Sequence, residues 1–207
     1  MPELKLPTPE QLKTIYKRDL KTSFPVSELK PLKEMLAEMR RGEYHPWCLF
    51  DGGEIVGEAF VWTHVPGFAL FDYLCVTRAR RNDGLGSVLI QKLAEAERGS
   101  VLFGESEIPA YAPDHAMAER RLAFYRRNGA RQADYDTCIF GVPYRTLYWA
   151  ERTVGADELS AAHAATYRSS IPEPLYRRFV QIPWEPSMGI PTKFPWLGQK
   201  NNENTGI

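Results

Sequence analysis

The sequence predicts a mixed α/β fold, an α+β arrangement of helices around a mixed sheet. The stretch from residue 45 to residue 76 is rich in strand-forming residues and is broken by the turn signals Asp51-Gly52-Gly53 and Pro66-Gly67. The apolar period changes to that of a helix at Leu85. Strands and helices then alternate up to about residue 150, which is typical of α/β proteins.

The first elements are two helices. Thr8 is placed to cap a helix that begins with Pro9, and Gln11 completes a capping box. A second helix is expected over Ser27–Arg41, with Gly42 ending it. An antiparallel meander of three strands follows, at His45–Phe50, Ile55–His64 and Phe68–Val76.

The next elements alternate. A helix is predicted to begin near Leu85 and to be ended by Gly99. A strand at Val101–Ile108 and a helix at Met117–Asn128 follow, and Asn128-Gly129 ends that helix. The last two elements are strands at Arg131–Phe140 and Tyr144–Trp149. The order α-α-β-β-β-α-β-α-β-β predicts one domain over residues 1–150.

Residues 151–207 differ in composition and are expected to form an extension. A helix is predicted over Asp157–Ser169, with His163 on the same side as Leu159. Beyond Ile171 prolines are so dense that neither a regular helix nor a central strand is expected. Trp184, Phe194 and Trp196 are interleaved with these prolines, so we expect the tail to lie against the domain or a partner. Gly198–Ile207 is expected to be disordered.

Composition excludes several functions. The chain has 207 residues, of which 26 are Lys or Arg and 26 are Asp or Glu, so its formal charge is zero. This balance argues against nucleic-acid binding and against a polybasic membrane surface. Cys48, Cys75 and Cys138 form no CxxC pair and the four histidines show no ligand spacing, so we expect no metal. With no signal peptide and no long apolar stretch, a cytoplasmic protein is expected.

The segment from Leu74 to Gly86 is the most informative for function. It joins a predicted strand to an amphipathic helix, and its glycines would leave backbone N–H groups free at the helix N-terminus. Such a terminus binds anions, phosphate above all. Arg78, Arg80 and Arg81 would add positive charge. A simple connection between strand and helix is the alternative interpretation.

Three motifs in order resemble those of one family. Arg81-x-x-Gly84-x-Gly86 resembles the acetyl-coenzyme A signature of the GNAT (GCN5-related N-acetyltransferase) superfamily. Leu74-Cys75-Val76 is similar to the end of that family's fourth strand, and Phe124-Tyr125-Arg126-Arg127-Asn128-Gly129 is similar to its second signature. The resemblance covers roughly residues 1–150 and implies the GNAT fold and acetyl-coenzyme A as co-substrate.

The resemblance also implies residue roles. Backbone groups of Cys75 and Val76 would pair with the pantetheine arm, amides of the Arg81–Gly86 loop would wrap the pyrophosphate, and Tyr125 would protonate the departing thiolate. The implied coenzyme-binding set is Leu74, Cys75, Val76, Arg81, Asn82, Asp83, Gly84, Leu85, Gly86 and Ser87. Departures from the family pattern are Asn82 and Asp83 within the loop, and Ala118 where the family often has asparagine.

Three carboxylates are candidates for the general base that acetyl transfer to an amine needs. Glu105 and Glu107 alternate along one strand and so share one face. Asp72 shares a strand face with Leu74. Surface charge at a solvated strand end is the alternative for the two glutamates, and core packing is the alternative for Tyr125.

We therefore expect direct transfer of acetyl from acetyl-coenzyme A to a primary amine of a small molecule or peptide, in a ternary complex. Two rival hypotheses are a catalytically silent acyl-coenzyme A sensor and an interaction module. A second copy of the chain is kept open as a partner. The acceptor does not follow from the fold, because fold alone does not give substrate.

Overall fold

The computed structural model describes residues 2–24 and 29–191. Within these ranges, eight strands form one sheet in the order β1-β2-β3-β4-β5-β7-β6-β8. The strands are β1 (Glu3–Lys5), β2 (Tyr44–Asp51), β3 (Glu54–Trp62), β4 (Phe68–Val76), β5 (Val101–Glu107), β6 (Arg131–Ile139), β7 (Val142–Trp149) and β8 (Val180–Trp184). The fold class is therefore mixed α/β, as predicted.

Helices cover both faces of the sheet. They are α1 (Pro9–Ile15), which continues as a π-helical turn (Tyr16–Leu20), α2 (Lys21–Ser23), α3 (Leu32–Arg41), α4 (Leu85–Ala96), α5 (His115–Arg127), α6 (Ala156–Ser170) and α7 (Glu173–Phe179). The predicted capping box at Thr8 is present, because Gln11 N–H donates to the Thr8 hydroxyl and Thr8 N–H donates to the Gln11 side chain.

Strand direction changes at one place in the sheet. β4 and β5 are parallel, whereas every other neighbouring pair among the described strands is antiparallel. A parallel pair needs a crossover, and α4 supplies it on one face. The predicted three-strand meander is β2-β3-β4.

The two larger apolar cores among the described residues follow from this layering. Leu12 of α1, Met35 of α3 and Leu159 of α6 are fully buried in the core on one face. Leu89 of α4 and Leu122 of α5 are buried in the core on the other. The alternation of apolar side chains along β3 to β5 serves both cores, since successive side chains point to opposite faces.

Two differences from prediction lie near the N-terminus. The strand β1 was missed, because three residues are too few to show a period. The predicted helix Ser27–Arg41 is shorter, beginning at Leu32, and Ser27 itself lies outside the described residues. Pro31 explains the late start, since the residue before a proline is disfavoured in helical backbone.

The prediction of no regular helix after Ile171 was wrong. Glu173–Phe179 forms α7, because Pro172 is its cap and Pro174 lies in its first turn, where a helix needs no proline N–H. Pro183 lies in β8, at the sheet edge where proline is tolerated. Trp184 packs into the domain and is 3% exposed. Phe194, Trp196 and Gly198–Ile207 lie outside the described residues.

Candidate active site

The gap between β4 and β5 positions the candidate site. These parallel strands pair over only three residue pairs, from Phe68–Val101 to Leu70–Phe103. Beyond that point β4 continues beside β3, and β5 continues beside β7. Backbone groups on the facing edges of β4 and β5 are thereby left available to a ligand that lies between the strands.

A β-bulge marks the start of this gap. Phe60 of β3 is opposite Tyr73, but the next residue, Val61, is opposite Phe71. Asp72 is therefore the extra residue of β4, without a partner on β3. A bulge redirects a side chain, and bulges are enriched next to active sites.

The Asp72 carboxylate is half-buried within a polar group on the side of the sheet that carries α3 and α6. The Tyr44 hydroxyl donates to it over 3.0 Å. Burial raises the pKa of Asp72 to about 6, although the Lys30 ammonium and the Tyr44 hydroxyl lower it. A carboxyl with this pKa is mainly ionised at neutral pH and yet more basic than an ordinary aspartate, which suits a general base.

The other two carboxylates are engaged by neighbouring side chains. Tyr167 and Thr137 hydroxyls donate to Glu105, over 2.6 and 2.8 Å. Arg121 of α5 donates to Glu107 over 2.9 Å. The geometry thus favours Asp72 over both glutamates as the proton acceptor.

The loop after β4 has the shape of an anion site. Asn82 and Gly84 have positive φ, 73° and 77°, and Gly84 is the N-cap of α4 with no side-chain hydrogen bond. The first N–H groups of α4 therefore lack a side-chain cap, and the positive end of the helix dipole faces outward. These residues fit a pyrophosphate.

The loop arginines have roles that the sequence did not reveal. Arg80 donates to Asp83 over 2.8 Å and to Asp51 over 3.2 Å. Arg81 donates to the Val76 carbonyl and to the Ser23 hydroxyl, over 3.3 and 3.2 Å. Both guanidinium groups thus hold the loop against the domain, whereas the exposed Arg78 side chain has no hydrogen bond or ion pair to any described residue.

Gly86 also has a packing role. A Cβ atom at this position would lie 3.2 Å from the Phe124 ring of α5. The second glycine of the motif therefore lets α4 and α5 approach each other closely. Of the other predicted coenzyme residues, Cys75 and Leu85 are buried, while Leu74, Val76 and Ser87 are partly exposed.

Tyr125 lies beside the gap. Its ring is 5.6 Å from Phe71 and 5.8 Å from Trp149, centroid to centroid. The Phe71 ring in turn occupies the space over Gly104 of β5, where a Cβ atom would lie 2.2 Å from it. Among the described residues we find no hydrogen-bond partner for the Tyr125 hydroxyl. Burial raises the pKa of Tyr125 to about 12, against a lowering by Arg121, so the hydroxyl keeps its proton at neutral pH.

Several buried polar residues near the gap were not singled out from sequence. Lys30 donates to Glu38 over 2.5 Å and lies 4.1 Å from the Trp62 ring centroid. Tyr167 contacts Glu105 across 62 positions of sequence. The sequence can indicate a buried polar residue where an ionisable side chain stands inside an apolar strand, as Glu58 does within Glu54–Trp62. It contains no comparable pattern that would predict the contacts of Lys30 and Tyr167.

Comparison with known proteins finds a family that the central part of the chain resembles. Residues 42–129 match the family described as "Acetyltransferase (GNAT) domain". These residues hold the bulge, the gap, the α4 N-terminus and Tyr125. This part of the chain is therefore similar to a GNAT acetyltransferase domain, and that family uses acetyl-coenzyme A.

Individual proteins show a similar likeness in sequence or in fold. The chain is 27% identical over 161 residues to "Putative acetyltransferase YjbC" of Bacillus subtilis strain 168, covering 70% of this chain and 76% of the relative. A GNAT-family structure from Bacteroides thetaiotaomicron has a TM-score of 0.65 at 20% identity, covering 81% and 97% of the two chains. The ribosomal-protein-S18-alanine N-acetyltransferase of Escherichia coli has a TM-score of 0.57 at 16% identity, covering 75% and 97%.

Two further findings concern the described residues alone. No helix in them is both long and apolar enough to cross a membrane. No group of three or more His, Cys, Asp or Glu side chains in residues 2–24 and 29–191 is arranged to hold a metal ion.

Proposed function

We propose that this chain transfers the acetyl group of acetyl-coenzyme A directly to a primary amine, with Asp72 as general base and Tyr125 as general acid. The observation that carries the proposal is the bulge that presents Asp72 where β4 and β5 separate. When bound, acetyl-coenzyme A supplies the acetyl group as an activated thioester.

The coenzyme would be held by backbone groups. N–H groups at the start of α4, from Gly84 to Gly86, would donate to the pyrophosphate at the positive end of the helix dipole. The facing edge of β4 from Leu74 to Val76 offers amide groups to the pantetheine arm. Asn82, Asp83 and the Arg81 side chain keep the loop in the conformation that this requires.

The proton steps follow from the two pKa values. Asp72 takes a proton from the amine, which makes the nitrogen nucleophilic. The Tyr125 hydroxyl, protonated at neutral pH, donates to the sulfur that leaves. Glu105 and Glu107 keep their contacts with neighbouring side chains.

The cysteines support direct transfer over a covalent relay through the enzyme. A relay would need an activated thiolate, which forms where the pKa of the thiol is low. Burial raises the pKa of each of the three thiols, Cys48, Cys75 and Cys138. Direct attack by the amine, in a complex that holds both substrates, is therefore favoured.

The test is release of free coenzyme A from acetyl-coenzyme A in the presence of a panel of amines, amino acids and peptides. Thermal stabilisation by acetyl-coenzyme A alone measures binding separately. Asp72→Asn is expected to lower kcat by about 10²-fold or more while stabilisation persists. Asp134→Asn is the matched control, since Asp134 is exposed on β6.

Each result bears on one hypothesis. Stabilisation without thiol release under any amine would favour a silent acyl-coenzyme A sensor. No stabilisation at saturating acetyl-coenzyme A would overturn the proposal as a whole. An Asp72→Asn variant with wild-type kcat would remove Asp72 from the role of base.

A further inference from the structure

The narrow end of the gap between β4 and β5 is closed by one aromatic ring. The last paired residues of these strands are Leu70 and Phe103, so Phe71 and Gly104 are the first residues beyond the pairing on each strand. The Phe71 ring lies over Gly104, where a Cβ atom would come within 2.2 Å of two of the ring carbons. The ring therefore occupies the volume that a side chain on β5 would otherwise fill.

The neighbours of the Phe71 ring leave it little freedom to move. The side chain is 6% exposed, and its ring lies 5.5 Å from the Trp149 ring of β7 and 5.6 Å from the Tyr125 ring of α5, centroid to centroid. All three residues belong to the apolar core that α4 and α5 cover. Because protein cores are close-packed, an additional methylene group cannot enter beside Phe71 unless the ring is displaced.

Phe71 and Asp72 lie on opposite sides of the sheet. Phe71 packs in the core beneath α4 and α5, whereas Asp72 accepts its hydrogen bond from Tyr44, a residue of the core on the α3 and α6 side. The bulge that presents Asp72 thus leaves the preceding side chain beside Tyr125. In the proposed reaction Asp72 receives a proton from the amine, so Phe71 lies on the side of the acyl donor.

The acyl group of the coenzyme would begin next to this ring. In the proposed function the Tyr125 hydroxyl gives its proton to the sulfur that leaves, and the acyl carbon is bonded directly to that sulfur. A carbon chain that extends from the acyl carbon toward the narrow end of the gap meets Phe71. The methyl group of acetyl requires the least room there.

We propose that Phe71, lying over Gly104, limits the acyl group that the site accepts to acetyl and excludes longer acyl chains. This inference rests on the proposed function and deepens it by assigning the residue that selects the acyl donor. Gly104 has a part in the selection, because a side chain at this position would prevent the Phe71 ring from lying across the end of the gap. A methylene group more or less in an apolar pocket changes selectivity by about tenfold or more.

The first test measures binding and needs no acceptor. Isothermal titration calorimetry gives the dissociation constants of coenzyme A, acetyl-coenzyme A and hexanoyl-coenzyme A for full-length wild type and Phe71→Ala. Wild type should bind hexanoyl-coenzyme A at least about tenfold more weakly than acetyl-coenzyme A. Phe71→Ala should abolish this difference. The dissociation constant of coenzyme A itself should not change, since coenzyme A carries no acyl group that could meet the ring.

Phe179→Ala is the matched control. Phe179 of α7 is also buried, at 3% exposed, and its ring stacks on that of Phe140, away from Phe71 and Tyr125. The control removes the same volume from the interior but should keep the wild-type preference for acetyl. Phe71→Leu retains part of the side-chain volume and should give an intermediate preference. It also decides the question if Phe71→Ala does not fold.

The second test measures turnover with an amine that wild type acetylates. Phe71→Ala should raise the ratio of kcat/KM for butyryl-coenzyme A to kcat/KM for acetyl-coenzyme A by about tenfold or more. Phe179→Ala should leave this ratio as in wild type.

The two tests separate this inference from the proposed function. If wild type binds acetyl-coenzyme A in preference to hexanoyl-coenzyme A but acetylates no amine, the proposed function fails and the selection of the acyl group stands. Equal dissociation constants for these two compounds in wild type would overturn the role of Phe71 whatever the activity. A preference that both Phe71 variants retain in full would overturn it too. If none of the three coenzymes binds, both proposals fail.

Discussion

Glu58 shows how one buried residue sets a pH dependence. It lies between Cys48 of β2 and Cys75 of β4, each directly opposite it, and its side chain is fully buried. The Cys75 thiol donates to it over 3.0 Å, and Asp19 of the π-helical turn adds negative charge nearby. Burial raises the pKa of Glu58 to about 8.

Glu58→Gln is therefore expected to stabilise the protein at alkaline pH. The folded chain keeps a proton on Glu58 up to about pH 8, whereas an unfolded glutamate loses it near pH 4.5, so the free energy of unfolding falls as pH rises through this window. Glutamine removes that loss. Urea unfolding at pH 5 and pH 8.5 measures the change in the free energy of unfolding that Glu58→Gln causes, with exposed Glu54→Gln as control. An equal change at both pH values would contradict a raised pKa for Glu58.

Tyr125→Phe tests a catalytic against a packing role. The phenylalanine ring preserves the contacts with Phe71 and Trp149 but cannot donate a proton. We expect kcat to fall by about 10²-fold with stabilisation by acetyl-coenzyme A retained. Steady-state kinetics and thermal shift measure the two separately. Exposed Tyr111→Phe should leave both unchanged, and full kcat in Tyr125→Phe would assign the residue to the core alone.

At the scale of elements, the gap between β4 and β5 depends on Gly104. Phe71 crosses from β4 and fills the space over β5, where a Cβ atom on residue 104 would lie 2.2 Å from its ring. The Phe71 ring also supports Tyr125. Alanine at position 104 must push the Phe71 ring aside.

Gly104→Ala is expected to cost about 1–3 kcal/mol of stability, as overpacking usually does, and to weaken acetyl-coenzyme A binding because the wall of the gap moves. Chemical denaturation and coenzyme titration measure the two effects. Gly155→Ala is the control, because its φ is −67° and a Cβ atom there meets nothing within 4 Å. Equal stability of the two variants would show that Phe71 relocates at no cost.

Elements with a strong period could be predicted from sequence, and the contacts between distant elements could not. β2 to β5, α4 and α5 were predicted to within two residues, because alternating and helical apolar patterns are local properties. α7 was missed because a proline count ignores position within a helix. The Arg81–Gly86 loop is predicted to be an anion site because glycines stand at the start of a helix, and this too is a local sequence pattern.

The rest of the candidate site depends on tertiary packing. The bulge at Asp72 depends on how β4 pairs with β3, and no residue type in β4 predicts it. The Tyr167–Glu105 contact joins residues 62 positions apart. His163 and Tyr167 could be assigned to one helix face from sequence, but the carboxylate that they meet could not.

At the scale of the whole molecule, the C-terminal extension is continuous with the sheet. β8 pairs with β6, and α6 packs against β6, β8 and β4. Leu159 of α6 is fully buried in the same core as Leu12 and Met35 near the N-terminus. We therefore propose that residues up to Trp184 fold with residues 2–150 as one cooperative unit, so that the predicted boundary near residue 150 marks a change in composition and not a break in the fold.

Leu159→Ala tests this cooperativity. Removing a fully buried leucine is expected to cost about 2–5 kcal/mol, and in one cooperative unit that loss lowers the midpoint for the entire chain. Far-UV circular dichroism and tryptophan fluorescence should then give coincident urea transitions in wild type and variant. Exposed Leu6→Ala should change the midpoint little. An early transition confined to part of the signal would mean that α6 unfolds by itself, and that a destabilised α6 could release Glu105 while the rest of the domain stays folded.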